Sequence, residues 1–223
     1  LIGAATATAP CESYGLHKLE AEDLVIASRL DWLVLRLGAV LQIVPPSGSF
    51  SADRLYVGSA LPSDGRAHLI DLRDAATALV QAATTDLAGE VLLVAGDDTL
   101  MLRHGDIGTA IAAECGLVDC LPPGLPGDPG DDDAWFTTDW LDTRIAQQRL
   151  SFQRHSWPDM LAEVRRQMGW KRFAARAAQP VVSRVLARQS AYRGRAADRY
   201  ADPWNVIAAR FGEPRIDRNV ATD

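Results

Sequence analysis

The sequence predicts an α/β fold in which part of a parallel sheet carries a smaller, mostly helical lobe and a helical tail. Three observations predict it. Residues 30–38 and 90–96 are short, nearly unbroken apolar runs of the kind found in strands buried on both faces. Strand-length runs alternate with helix-length amphipathic stretches up to about residue 115, the order that builds a parallel sheet. The chain has 223 residues, 48% of them hydrophobic and 23% charged, which suffices for one or two domains with a real core.

Residues 1–13 are rich in small residues and read as a loop that ends in Pro10-Cys11-Glu12-Ser13, with Ser13 placed to cap a helix over about residues 14–28. Leu16, Leu19, Ala21, Leu24, Val25 and Ala27 make that helix broadly apolar, as packing beside a sheet requires. It begins Tyr14-Gly15-Leu16-His17-Lys18. Residues four apart share a helix face, so the Tyr14 phenol and the Lys18 ammonium can point into one pocket. A free phenol has a pKa near 10; a fixed cation beside it favours the phenolate and brings it towards the working range of a general acid/base. The same spacing also suits a packed Tyr14 with a solvated Lys18. His17 falls off the shared face and reads as a surface or substrate-facing residue.

The order of four segments narrows the choice. Ser13-Tyr14-Gly15-x-x-Lys18 with Ala21-Glu22, the strand that ends Leu35-Arg36-Leu37-Gly38, the element around Asp71-Leu72-Arg73-Asp74, and Asp142-Thr143-x-x-Ala146 through Leu150-Ser151-Phe152 together resemble the extended short-chain dehydrogenase/reductase family, the NAD(P)-dependent epimerases, dehydratases and hydroxysteroid-type dehydrogenases. Ser151 stands where the family usually has Gly. The resemblance covers roughly residues 1–170. It implies the C-terminal part of a Rossmann-type sheet, NAD or NADP as cofactor, Tyr14 as proton donor and acceptor, and Lys18 as the group that lowers its pKa and holds the ribose. Gly38, Ala39 and Val40 would line the nicotinamide, although simple loop packing accounts for them equally well. Asp74 matches a position that is structural more often than catalytic.

Two parts of the family pattern are missing from the sequence. No G-x-x-G-x-x-G turn stands between a strand and a helix, where it lets backbone N–H groups approach a pyrophosphate at a helix N-terminus; the spacing at Gly124, Gly127 and Gly130 falls inside the proline-rich, acidic stretch. The family's catalytic Ser or Thr has no matching position either; Thr6 and Thr8 lie in the leading loop. The resemblance therefore implies the C-terminal part of an enzyme, with NAD against NADP decided elsewhere. A non-catalytic binding or interaction module built on the same scaffold is the alternative.

The implied organisation divides residues 1–44, the sheet part with the Tyr-Lys helix, from a substrate-lobe excursion at 45–67. The chain returns to the sheet at 68–100, forms a substrate-binding lobe at 101–170, and ends in a basic helical tail at 171–223. In the excursion, Phe50, Arg54, Tyr56 and Arg66 are the substrate-binding candidates, since Arg forks hold diphosphates and aromatic rings stack on bases or sugars. Residues 68–72 read as a strand, 74–83 as a helix capped by Asp71 or Asp74, and 90–96 as a strand beside residues 32–37. A helix over 102–115 turns Ile107, Ile111 and Ala112 inward and stops at Gly116. Residues 121–133 are turn-rich and acidic and read as an exposed loop. Trp135, Phe136 and Trp140 read as core anchors of the second lobe. Further helices are expected at 142–150, from Trp157-Pro158, at 171–190, and at 203–211 with Gly212 and Pro214 marking the stop.

The net charge of −6 is uneven: from Lys171 onward there are 11 basic and 5 acidic residues, against 12 and 24 before it. Three roles fit such a tail: covering the second lobe, pairing protomers as a homodimer, or lying on a membrane surface. No nucleic-acid motif accompanies the charge. No apolar stretch of about 18 residues indicates an integral membrane segment. The sparse cysteines, Cys11, Cys115 and Cys120, read as structural thiols of a cytoplasmic protein, and no metal site is indicated. The partner expected is a small molecule bearing a hydroxyl or carbonyl, a nucleotide sugar or a sterol-like alcohol.

Overall fold

The computed structural model describes residues 1–43, 51–135, 139–194 and 199–213. Phe50, Phe136 and Pro214 lie outside them. Helix α1 (Ser13–Ile26) leads into β1 (Leu33–Leu37), and β2 (Ala39–Leu41) follows after one residue. Then come α2 (Ala52–Ala60), β3 (Arg66–Asp71), α3 (Leu72–Thr84), β4 (Glu90–Val94), β5 (Met101–Arg103) and α4 (His104–Glu114). The remaining helices are α5 (Arg144–Leu150), α6 (Trp157–Met168), α7 (Lys171–Ala187) and α8 (Pro203–Phe211).

β1 pairs with β4 in parallel, Leu33 opposite Glu90 and Leu37 opposite Val94, as the two apolar runs predict. β2 then changes neighbour and pairs in parallel with β3, while β5 closes the other edge of β3 antiparallel. Gly38 is the crossing point. Its N–H donates to the Val94 carbonyl at 2.8 Å. A Cβ there would collide with the His68 carbonyl and come within 2.9 Å of the Ala95 Cβ, so the glycine is required by strand packing.

The main core lies over this sheet. Ile70, Leu92 and Val94 from the strands meet Ala75 and Ala78 of α3 and Ala146, Leu150 and Phe152 at the end of α5. Two buried carboxylates lock the outer elements. Asp71 caps α3 by accepting from the Arg73 N–H and ion-pairs with the Arg73 guanidinium at 2.7 Å, which also reaches Glu163 of α6. Hydrogen bonds from Arg73 outweigh the cost of burial and hold the Asp71 carboxyl below its ordinary range. Asp74 accepts from the backbone N–H groups of Arg154 and His155 and pairs with His155 Nδ1 at 2.7 Å. The Arg-Asp element is thus structural at both carboxylates.

A second set of contacts builds the lobe. Trp157 and Met160 of α6 pack on Ala67, Leu69 and Leu100, and Ile107 and Ile111 of α4 join them. α4 stops at Gly116 as expected: its φ is +89°, and a side chain there would run into the Arg172 carbonyl. The acidic segment 121–133 is not the simple exposed loop its composition predicts. Ser63 N–H donates to Leu125 O, Gly127 N–H to Asp64 Oδ1, and Ala201 N–H to Pro126 O, so the segment is pinned between the lobe and the tail. The tail covers the lobe: Leu186 of α7 packs with Ala112, Leu117 and Cys120, and Val206 and Ile207 of α8 pack with Ala60.

Candidate functional site

The site begins at the N-terminus of α1. Glu12, rather than Ser13, is its cap: the carboxylate accepts from Tyr14 N–H at 2.9 Å and Gly15 N–H at 2.6 Å. A carboxylate offers two acceptors to the orphan amides and also suits the positive end of the helix dipole, which is why it displaces the serine. Tyr14 and Lys18 then stand one turn apart, both exposed, with Lys18 Nζ 5.3 Å from the centroid of the Tyr14 ring.

One ion pair ties this helix to the sheet. Arg36 on β1 grips Glu22 through two bonds, Nη2 to Oε1 at 2.6 Å and Nε to Oε2 at 3.0 Å. The bond to Glu22 holds the Arg36 guanidinium above its ordinary pKa. Residues 27–32 connect α1 to β1. From that contact, Tyr14 lies about 12 Å back along the helix at 1.5 Å per residue, and Val40 about 13 Å along the strand. Val40 follows the C-terminal end of β1, the end of the strands at which open α/β folds bind their ligands.

At that end Ala39 and Val40 are exposed, and Leu41, Gln42 and Ile43 run into a cavity of about 370 Å³. α2 contributes Arg54, Leu55, Gly58 and Ser59 to it, and α4 contributes Ile107 and Ile111. Leu186 and Ser190 of the tail and Pro122 to Gly124 complete the wall. His104 stands in the wall, and burial pushes its imidazole below the usual pKa, so it is neutral at pH 7. Cys115 also faces the cavity; burial raises its thiol, as befits an unreactive sulfur.

The substrate candidates separate. Arg54 lines the cavity, whereas Tyr56 and Arg66 are not among its lining residues. The Tyr56 hydroxyl donates to the Val206 carbonyl at 2.8 Å, and Arg210 lies over its ring at 4.3 Å, which makes Tyr56 an anchor for α8. Arg66 is paired with Asp139 at 2.9 Å and stacks on Trp140 at 4.8 Å. Gly38 has its packing role at the strand crossing.

Sequence reasoning passed over His68, a fully buried imidazole on β3. Leu141 N–H donates to its Nδ1 at 3.1 Å, so the ring is the Nε2–H tautomer and donates to Gly96 O at 3.0 Å. Burial keeps its pKa below the ordinary value. Sequence reasoning also missed Gly58, although a lone glycine within a helical stretch is itself a signal of close approach or open space.

No family model and no curated protein sequence matches the chain. Solved structures do. One is MoeE5 in complex with UDP-glucuronic acid and NAD, at 21% identity and a TM-score of 0.55 over 78% of this chain and 60% of that one. Another is UDP-glucuronic acid 4-epimerase from Bacillus cereus with UDP-glucuronic acid and NAD, at 19% and 0.51 over 73% and 54%. A third is DesIV, a dTDP-glucose 4,6-dehydratase from Streptomyces venezuelae with NAD bound, at 17% and 0.56 over 74% and 53%. The chain therefore shares the Rossmann-type α/β fold of these NAD-bound structures, the fold its motifs implied. It spans little more than half the length of those proteins. Among the described residues no helix is long and apolar enough to cross a membrane.

Proposed function

We propose that this chain carries the acid/base half of an NAD(P)-dependent oxidoreductase or epimerase/dehydratase site, with Tyr14 as the proton-transfer group. The observation that carries the reading is Tyr14 and Lys18 exposed one turn apart on one face of α1, the helix that the Arg36–Glu22 pair ties to β1. Ala39 and Val40, both exposed, would line the nicotinamide of a bound dinucleotide, and Lys18 would hold its ribose. The glycine spacing of a pyrophosphate turn occurs only at Gly124, Gly127 and Gly130, in a proline-rich acidic segment rather than between a strand and a helix. When bound, NAD supplies the hydride acceptor.

In the oxidative direction the Tyr14 phenolate takes the proton of a substrate hydroxyl as the carbinol C–H bond breaks and its electron pair leaves as hydride. The carbonyl forms and Tyr14 is left as the phenol; reduction reverses each transfer. The Lys18 ammonium stabilises the phenolate by opposite charge. An epimerase uses the two directions in succession on opposite faces of one carbon.

Titration calorimetry with NADH and NADPH tests this on the chain and on a form extended upstream, each compared with Tyr14→Phe and Lys18→Ala. Binding by the extended form that Lys18→Ala weakens, with turnover lost in Tyr14→Phe, supports the reading. No binding by either form would sink it and leave the non-catalytic module.

A further inference from the structure

We propose that the outward face of α7 docks the chain on an anionic lipid surface, with the helix lying in the plane of the headgroups. Three roles fit the basic tail on sequence alone. The structure gives one face of α7 to the lobe and leaves a second, differently built face uncovered.

The inward face is occupied. Ala175, Val182 and Leu186 pack with Ala112, Leu117 and Cys120, and the Gln179 side-chain amide donates to the Val118 carbonyl at 2.8 Å. A helix that only covers a lobe carries polar residues opposite such a stripe. α7 carries apolar ones as well. Phe173, Ala177, Val181 and Val185 recur every four residues and form one ridge, about 18 Å long, on the other side. Phe173 is 70% exposed and Val181 62%. Trp170, the N-cap residue, falls on the same side, seven positions before Ala177, and is 74% exposed. Large apolar groups gathered on one exposed face mark an interaction surface.

Charge selects the occupant. Arg184 and Arg188 interleave with the ridge, Lys171 and Arg176 border it, and all four are exposed. Among the described residues none of the four is ion-paired with a carboxylate. From Arg165 to Ala197 the sequence has nine Lys or Arg and no Asp or Glu. Before Lys171 it has 24 acidic residues against 12 basic, so an anionic surface repels the body of the chain and attracts this helix.

Two other occupants fit less well. A second copy seated by two-fold symmetry sets Arg184 and Arg188 against their own kind, with no acid in the patch to receive them. A nucleic acid takes the charges but offers no dry surface to Val181 and Val185. A lipid surface takes both: headgroup phosphates receive the guanidinium and ammonium groups, and the acyl boundary receives Phe173, Val181 and the Trp170 indole, a ring suited to that depth.

Cosedimentation of the 223-residue chain with vesicles of equal parts phosphatidylglycerol and phosphatidylcholine tests this, against vesicles of phosphatidylcholine alone. The expected result is binding to the anionic vesicles only, with a blue shift of tryptophan emission that Trp170→Phe removes. Arg184→Gln combined with Arg188→Gln should weaken binding by about tenfold or more, since each basic residue near such a surface contributes about fivefold. Phe173→Ser combined with Val181→Ser should weaken it by about tenfold through lost apolar burial. Both double variants alter exposed positions and should keep the melting temperature. Absence of binding to the anionic vesicles by the folded chain, or equal binding by the Phe173 and Val181 double variant, overturns the proposal. So does duplex RNA that displaces the chain from the vesicles and binds that double variant equally well, or a dimer of the free chain that the same variant dissolves. Neither cofactor nor turnover enters the readout, so this outcome and that of the Tyr14 reading are independent.

Discussion

Two helices flank the strands in similar lengths and are held in opposite ways. α3 buries Asp74, Ala75 and Ala78 and is locked at its first turn by two buried carboxylates. α1, which carries Tyr14 and Lys18, buries no residue; Leu24 is 75% exposed, and the tie to β1 is the Arg36–Glu22 pair. An apolar helix with nothing over it lacks the packing that supplies most helical stability in proteins. The proposed proton-transfer pair thus stands on a helix held to β1 by the Arg36–Glu22 pair, while the elements that define the fold are stabilised independently of it.

That contrast can be broken from the α3 side first. Asp74→Ala leaves the amides of Arg154 and His155 and the His155 ring without their acceptor, and should cost about 3 kcal/mol or more of global stability in denaturant titrations. A cost under about 1 kcal/mol would mean that α3 is held by packing alone.

Acidification is the next largest lever. His68 is neutral when folded, its pKa lowered by burial, so the unfolded chain takes up the extra proton below about pH 6.5. Stability contributed by the neutral ring is present above that pH and is lost as pH falls towards the folded value. The melting temperature should therefore drop between pH 7 and 5, and His68→Gln should flatten the drop.

A smaller, opposite effect is expected at the end of α5. Ser151 adopts the left-handed conformation, φ 47° and ψ 50°, at the position where the motif usually has glycine. Ser151→Gly should stabilise the chain by about 1 kcal/mol by removing the Cβ penalty.

The smallest global effect belongs to α1. Glu22→Ala removes its tie to the sheet and should cost about 1 kcal/mol or less by melting. Hydrogen exchange sharpens the comparison: α1 amides should lose protection in this variant while those of α3 keep theirs. Equal loss in both helices would show that they unfold as one unit.

The local pattern was well legible. The apolar runs located β1 and β4, and the glycines at 116 and 212 located helix ends, because burial and left-handed backbone leave marks in single residues and short windows. The spacing of Tyr14 and Lys18 was legible for the same reason. Less so was the cap at Glu12, where two acceptors beat the usual serine. The packing of residues 121–133 was hidden because its backbone partners, Ser63, Asp64 and Ala201, come from distant parts of the sequence.

By itself, then, the sequence determined β1, β3, β4 and the helices other than α2, the Tyr-Lys spacing and the structural part played by Asp71 and Asp74, but not β2, α2 or β5. These rest on local periodicity, capping and motif spacing, all of which act over a few residues. Tertiary structure alone decided that Tyr56 anchors the tail, that Arg66 is held by Asp139, that Gly38 marks a strand crossing, and that Arg54 alone of the three described substrate candidates reaches an aliphatic cavity. Those outcomes depend on contacts between residues tens to more than a hundred positions apart, and no short window of sequence contains both partners.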